Sequence, residues 1–176
     1  MTNIQQKVKQ ILQENNMYSP PIDVVRLAKN EGFIVELAEI DGDGIIINSN
    51  DEFTIGGGSK KYKKVILVNH QSSAGRQVFT IAHELAHWFL EAKESGEEFF
   101  GKRDDNLTYY RETEINNFAS ELLIPQELLK DYMNDNKDKS EYELIYLVAD
   151  RFNVSREAAK VRLSKYWGVS VNELPY

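Results

Sequence analysis

Three residues in one short segment of the chain have the types and spacing of a metal site. The segment is FTIAHELAHWFL, residues 79–90, and it holds two of the protein's three histidines, His83 and His87, with Glu84 directly after the first. On an α-helix, residues four apart project only about 40° from each other and one turn along, so both imidazoles can reach one ion. Zinc accepts imidazole nitrogens, and a catalytic zinc keeps one position for water. The pattern therefore predicts a divalent metal bound by both histidines, with Glu84 beside the water.

The apolar residues around this motif decide whether the histidines face a site or fill a core. Counted at helical spacing, they share the side opposite to the histidines and Glu84: Val78, Ile81, Ala82, Leu85 and Phe89. The alternative is a pair of histidines with ordinary hydrogen-bond partners on a half-buried helix. The added glutamate and the separation of the two faces favour the metal site.

The third ligand must be a carboxylate, because the chain has no cysteine and no histidine follows His87. The downstream histidine of metzincins is therefore absent. A ligand on a rigid element is held better than one on a loop, which favours the helix predicted over residues 111–125. Periodicity does not choose between the three glutamates of that helix. The acidic candidates are Glu91, Glu94, Glu97, Glu98, Asp104, Asp105, Glu112, Glu114 and Glu121.

The elements that position these residues form a pattern of helices around a few strands. Apolar residues at helical spacing predict helices near the N-terminus, over residues 22–30, from a cap at Ser72 or Ser73 to about residue 92, and over residues 111–125. Three β-rich runs are separated by DGDG and GGGSKKYK: residues 33–40, 44–49 and 64–69. The short connections predict a small, mostly antiparallel sheet, and hence an α+β fold. Residues 93–108 read as a loop.

Length and composition bound the classes of protein that fit. A chain of 176 residues predicts one domain, or one domain with a small appendage, and we expect a domain that carries the metal site over residues 1–130 and a helical subdomain over residues 131–176. The absence of cysteine fits a reducing compartment. No signal peptide or apolar run of membrane-spanning length is present, so we expect a cytoplasmic protein without membrane association. A net charge of −7 argues against general nucleic-acid affinity.

Two blocks at a fixed separation carry a family resemblance. RQVFTIAHELAHWFL, followed by RETEINNFASELLIP, resembles the ImmA/IrrE family of bacterial metallopeptidases, whose pattern is an arginine, then FTxAHELxH, then ExNxFAxxLLxP. Ala86 stands where the family usually has glycine, and both residues are small. Carried over residue by residue, the resemblance implies His83, His87 and Glu114 as metal ligands and Glu84 as the catalytic glutamate. Asn116 matches the asparagine of the second block.

The resemblance also implies a fold and an activity. We expect a small zincin-like α+β domain, with the HExxH helix packed beside the sheet. The implied activity is that of a zinc endopeptidase that cleaves a helix-turn-helix repressor of the XRE type and so derepresses genes of a phage, a mobile element or a stress response. Manganese or iron could replace zinc, since two histidines and a carboxylate accept several divalent ions.

Two features near the motif suggest how a substrate is handled. An oxyanion that forms at the scissile carbonyl needs a further hydrogen-bond donor. Tyr109, Tyr110 and His70 are candidates, although packing or surface placement is the commoner role for each. The strand at residues 64–69 is either an edge strand, to which an extended peptide could add by main-chain hydrogen bonds, or a central strand.

We consider two functions other than proteolysis, and the first rests on the C-terminal segment. Its predicted helices flank the turn NVS at residues 153–155, and the second helix carries four basic residues: Arg156, Lys160, Arg162 and Lys165. A DNA-binding regulator would need these residues on one exposed face. The overall negative charge instead favours a subdomain that packs on the protease or docks the repressor. The third hypothesis is a toxin-like partner of an antitoxin, for which binding matters more than cleavage.

Overall fold

The computed structural model describes residues 1–95, 97–100 and 109–174, apart from the side chain of Tyr109. The predicted α+β composition is confirmed. Besides strands and α-helices, the structure has a π-helical turn, Trp88–Ala92, and a 3₁₀ turn, Val171–Glu173. The strands are β1 (Ile34–Ala38), β2 (Gly44–Thr54), β3 (Lys61–Asn69) and β4 (Phe99–Phe100). The helices are α1 (Asn3–Glu14), α2 (Val24–Asn30), α3 (Ala74–His87), α4 (Tyr109–Leu123), α5 (Gln126–Asp135), α6 (Glu141–Phe152) and α7 (Arg156–Trp167).

The chain divides into two compact units. One is Val24–Ala119 and contains the whole sheet, and the other combines Met1–Asp23 with Ser120–Tyr176 and is helical. The predicted division between residues 130 and 131 falls inside α5. The helical unit therefore draws on both ends of the chain, which a reading along the sequence does not reveal.

The sheet is mixed, with the strand order β1-β3-β2-β4. β2 pairs antiparallel with β3 and with β4, as the short connections predict. β1, however, pairs parallel with β3, so one of the three pairings among the described strands departs from the expected antiparallel arrangement. The reason is that two successive chain reversals bring β1 and β3 into the same direction. β3 is thus a central strand, and the hypothesis that residues 64–69 form an edge strand is wrong.

The two faces of the β2–β3 pair have different surroundings. Gly44 and Ile46 lie opposite Val68 and Ile66 in the register and share their face, which is fully buried at its three apolar residues. A Cβ at Gly44 would lie 2.3 Å from the Cγ2 of Thr80, so α3 crosses this face in direct contact with the strand. Because side chains alternate along a strand, the residues between these point to the opposite face of the sheet.

The helix that carries the HExxH motif starts and ends as the sequence predicts. Ser73 is its N-cap and accepts a hydrogen bond from the backbone N–H of Arg76. The π-helical turn that follows α3 buries Trp88, whose indole N–H donates to a carboxylate oxygen of Glu31 at 2.9 Å. The ring of Trp88 also meets that of Phe33 edge-on, with centroids 5.1 Å apart. These contacts anchor the end of the motif helix within its own unit.

The helical unit contains α1, the predicted helix pair α6 and α7, and one further helix, α5. α6 and α7 are joined by three residues, among which Asn153 adopts a left-handed conformation and Ser155 caps α7. The polar segment after residue 130 is partly helical, since α5 extends to Asp135. Across the described residues, no helix combines the length and the apolar character that a membrane span requires.

Candidate active site

The two motif histidines meet through their Nε2 atoms. The Nε2 of His83 lies 3.2 Å from the Nε2 of His87, and the ring centroids are 4.9 Å apart. His87 is buried and His83 is partly buried. One helical turn of α3 therefore brings both imidazoles to one point, as their spacing predicts.

The outer nitrogens of both rings contact oxygen acceptors. The Nδ1 of His87 lies 2.7 Å from Oε2 of Glu91, and the Nδ1 of His83 lies 3.1 Å from Oδ1 of Asn116. A carboxylate or amide oxygen only accepts, so these contacts favour the tautomers with the proton on Nδ1, which leave Nε2 as an acceptor. Two acceptor nitrogens that face each other at 3.2 Å repel each other, and a cation between them would remove that repulsion. This pairing of imidazoles with outer oxygens is typical of metal-binding histidines.

Glu112 supplies a carboxylate to the same point. Its Oε2 lies 3.8 Å from Nε2 of His83, and its Oε1 lies 3.9 Å from Nε2 of His87. Donors that bind zinc at about 2.0–2.1 Å with tetrahedral angles lie roughly 3.3 Å apart, so the two imidazoles already have this separation and the carboxylate needs a small approach. Two imidazoles and a carboxylate are a donor set that zinc accepts. The residues present therefore fit a divalent metal.

The structure does not bring Glu114, the expected third ligand, to the histidines. Glu114 is exposed on α4 and is not part of the metal-ligating group. At about 100° per residue, Glu112 and Asn116 lie on one side of the buried Ile115, by roughly 60° and 100°, whereas Glu114 lies about 100° to the other side. Because Asn116 already contacts His83, the helix must turn Glu112 inward and Glu114 outward. The spacing of four between Glu112 and Asn116 is the sequence signal that would have found this.

The remaining candidate carboxylates have other surroundings. Glu121 lies in the helical unit, where it forms a buried ion pair with Arg162. Glu98 accepts hydrogen bonds from the hydroxyl of Ser49 and the backbone N–H of Asn50. Neither reaches the histidines. Asp104 and Asp105 lie outside the described residues.

Glu91 connects the motif helix to α4. Its Oε2 faces His87, and its Oε1 accepts a hydrogen bond from Nε of Arg111, the residue next to Glu112. Burial raises the pKa of Glu91, but the hydrogen bonds from His87 and Arg111 outweigh burial and hold that pKa below its ordinary value. The carboxylate of Glu91 thus orients the imidazole of His87 and, through Arg111, stabilises the first turn of α4, which carries Glu112. Neither Glu91 in this role nor Arg111 was anticipated from the sequence, although Glu91 follows His87 by four residues on one helix face.

The histidines open onto a cleft of about 980 Å³ within the sheet-containing unit. Glu84 also lines the cleft and is 94% shielded from solvent, and its Oε1 lies 3.5 Å from the position of a Cβ on Gly44. The absence of a side chain at Gly44 therefore lets β2 approach the carboxylate closely. At the rim, Arg76 forms an ion pair with Asp43, and this hydrogen bond raises the pKa of the guanidinium against the opposing effect of burial. The arrangement places a buried carboxylate beside a strand and a metal-binding group.

Two of the proposed oxyanion donors, His70 and Tyr110, do not line the cleft. His70 lies on the surface, with its Nδ1 3.2 Å from the carbonyl oxygen of Ala38, and it does not line the cleft. Tyr110 is 83% exposed and does not line the cleft either. The side chain of Tyr109 lies outside the described part of the structure. Asn116 does line the cleft, through the contact with His83 described above.

The class of protein that this fold and site define is an α+β protein with a candidate metallopeptidase centre. The family model for the IrrE N-terminal-like domain matches residues 40–164, so the chain belongs to the ImmA/IrrE family. This is a family of metallopeptidases, which implies a metal ion. No curated protein gives a significant match.

A solved structure supports the fold. A Mycobacterium tuberculosis transcriptional regulator is similar over 93% of this chain, with a TM-score of 0.58 and 19% sequence identity. The chain spans 47% of the length of that structure. At this identity the likeness concerns the fold alone.

Proposed function

We propose that the protein is a metal-dependent endopeptidase, with His83, His87 and Glu112 as ligands of one zinc ion and Glu84 as the general base. The observation that carries the proposal is the pair of acceptor nitrogens 3.2 Å apart, with a carboxylate directed at both. A buried glutamate in the same cleft adds the second component of a peptidase site. Membership of a metallopeptidase family supports the same reading.

Each residue of the proposed site has a separate role in the reaction. A divalent cation held at this point supplies Lewis-acid chemistry, which acidifies water and polarises a peptide carbonyl. Glu84 takes the proton from the attacking water on a carboxylate oxygen and returns it to the leaving amine. Glu91 and Asn116 hold the two imidazoles in one orientation through their Nδ1 atoms. The close approach of Gly44 brings the backbone of β2 near Glu84.

β2, and not β3, is the strand along which an extended substrate would lie. On the side away from β3, the described partner of β2 is β4, which pairs only with Ile47 and Asn48. Main-chain groups of β2 from Gly44 to Ile46 thus have no strand partner on that side among the described residues. An extended peptide adds to such an edge by backbone hydrogen bonds and passes Glu84.

The substrate that we propose is a helix-turn-helix repressor of the XRE type. Family membership is the support for a regulator-cleaving role. Cleavage of such a repressor would derepress the genes of a phage, a mobile element or a stress response. The direct experiment mixes the purified protein and zinc with small helix-turn-helix proteins of the XRE type and follows cleavage by mass spectrometry.

The decisive variant is Glu84→Gln, which removes the base but keeps the size of the side chain. We expect it to retain bound zinc and a native circular dichroism spectrum while cleavage of the repressor falls at least about 100-fold. Glu114→Gln makes the same chemical change on the exposed side of α4 and should retain cleavage. Normal cleavage by Glu84→Gln would remove the general base from the proposal.

The alternative of a DNA-binding regulator receives little support from the helical unit. Lys160 and Arg162 are buried, and Arg162 pairs with Glu121, so half of the basic residues of α7 are withdrawn from an exposed face. Arg156 lies over the ring of Tyr146 at 4.2 Å. Salt-dependent binding of duplex DNA by the full chain would favour this alternative. A stable complex with a partner that is never cleaved would favour the toxin-like alternative.

A further inference from the structure

The cleft extends beyond the metal-binding group to an apolar wall. We call this surface the apolar wall, and it consists of Ile45, Ile47, Phe53, Ile55 and Leu67. They line the same cleft as the histidines and Glu84. Ile45 lies opposite Leu67 in the register, so both point to the face of the sheet away from α3. The cleft therefore passes from α3 around the edge of β2 that faces away from β3.

The apolar wall packs against buried residues of β3 and keeps part of its surface exposed to the cleft. Leu67 is buried and forms a small core with Tyr62 and Val65, and the other four residues pack against that core while remaining half-buried. Four adjoining apolar side chains that keep part of their surface in a cleft can gain burial from an apolar ligand. Asp43 and Arg76 form an ion pair at the rim, where Asp41 adds a further acidic side chain.

We infer that the apolar wall is a specificity subsite that accepts a large apolar side chain, such as leucine or phenylalanine, adjacent to the scissile bond. The inference rests on the proposed peptidase function and adds the chemical class of the residue that is recognised. The inference is based on the position of Ile45 relative to the general base, because Ile45 directly follows Gly44, which approaches Glu84. A peptide along β2 that presents its carbonyl near Glu84 therefore directs a neighbouring side chain past Ile45.

The expected selectivity follows from the area that such a side chain would bury. Burial of a leucine or phenylalanine side chain, compared with serine, should strengthen binding by about 10- to 100-fold. A serine side chain would leave the wall in contact with water and gain little. The neutral serine comparison also avoids any effect of the acidic residues at the rim.

The test uses peptide hydroxamates, which bind divalent metals directly and need no turnover. Three compounds identical except for one residue, leucine, phenylalanine or serine, are titrated calorimetrically into the zinc-loaded full chain. We expect the leucine and phenylalanine compounds to bind about 10- to 100-fold more tightly than the serine compound. Equal affinity of all three would overturn the subsite while leaving the metal centre intact. Failure of every compound to bind zinc-loaded protein would instead contradict the proposed metal centre.

A matched pair of variants locates the selectivity. Ile45→Thr keeps a β-branched side chain in β2 but makes the wall more polar, and it should reduce the preference for leucine over serine at least about threefold. Ile34→Thr makes the same change on β1, where the side chain is 39% exposed and outside the cleft, and it should leave the preference unchanged. Thermal unfolding of both variants verifies that they are folded. An unchanged preference in folded Ile45→Thr would assign recognition to another part of the cleft.

Discussion

Replacing Glu112 by glutamine removes the carboxylate that converges on both histidines. Its two oxygens lie 3.8 and 3.9 Å from the two Nε2 atoms, and it is the negatively charged member of the proposed ligand set. Loss of an outer partner of a metal ligand typically weakens metal binding about 10- to 100-fold. Loss of a direct ligand should exceed that range, so we expect zinc affinity to fall at least about 100-fold, or about 2.7 kcal/mol.

Competition with a chromophoric chelator at fixed pH and ionic strength measures this loss. Glu114→Gln is the matched control, because it makes the same change in charge two residues along the same helix, on an exposed surface where salt screens its influence. We expect its zinc affinity to stay within about twofold of the original chain. If Glu114→Gln releases zinc and Glu112→Gln retains it, the orientation of α4 and the ligand set derived from it are wrong.

Three further predictions concern residues around the site and in the helical unit. Glu91→Gln should weaken zinc binding about 10- to 100-fold in the same competition assay, and an unchanged affinity would show that its contacts do not orient the ligands. Gly44→Ala should lower the free energy of unfolding by about 1–3 kcal/mol, because its Cβ would overlap Cγ2 of Thr80. Adding Thr80→Ser removes that methyl group and should recover part of the loss, whereas full stability in Gly44→Ala alone would contradict the close approach. Arg162→Met should cost about 3–5 kcal/mol in urea unfolding by leaving the Glu121 carboxylate buried without its partner, and Glu121→Gln in the same chain should restore part of it.

The motif helix was predictable because its information is local. Helical spacing alone places His83 and His87 together, and the cap at Ser73 marks the start of α3. The apolar side of the helix, including Ile81 and Leu85, is buried as its periodicity predicts. Each of these features depends on residues within about four positions of one another, a range over which helix geometry is fixed.

The third carboxylate ligand and the order of the strands were harder to predict from the sequence, because both depend on contacts between segments that are distant in the chain. The resemblance pointed to Glu114, but the orientation of α4 about its own axis, set by the burial of Ile115 and by the contact of Asn116 with His83, presents Glu112. The pairing of β1 with β3 likewise places a strand beside one that is not its neighbour in sequence.

The chemical groups of the site can be read from the amino-acid sequence: two imidazoles and a glutamate on one helix, with no thiol and with carboxylates further along the chain. The packing of the folded chain selects the carboxylate that turns towards the imidazoles, the strand that borders the cleft and the apolar side chains that line it. These features differ in the distance along the chain over which residues must interact. Helical periodicity fixes directions within one element, whereas the rotation and pairing of separate elements follow from the packing of their buried faces against each other.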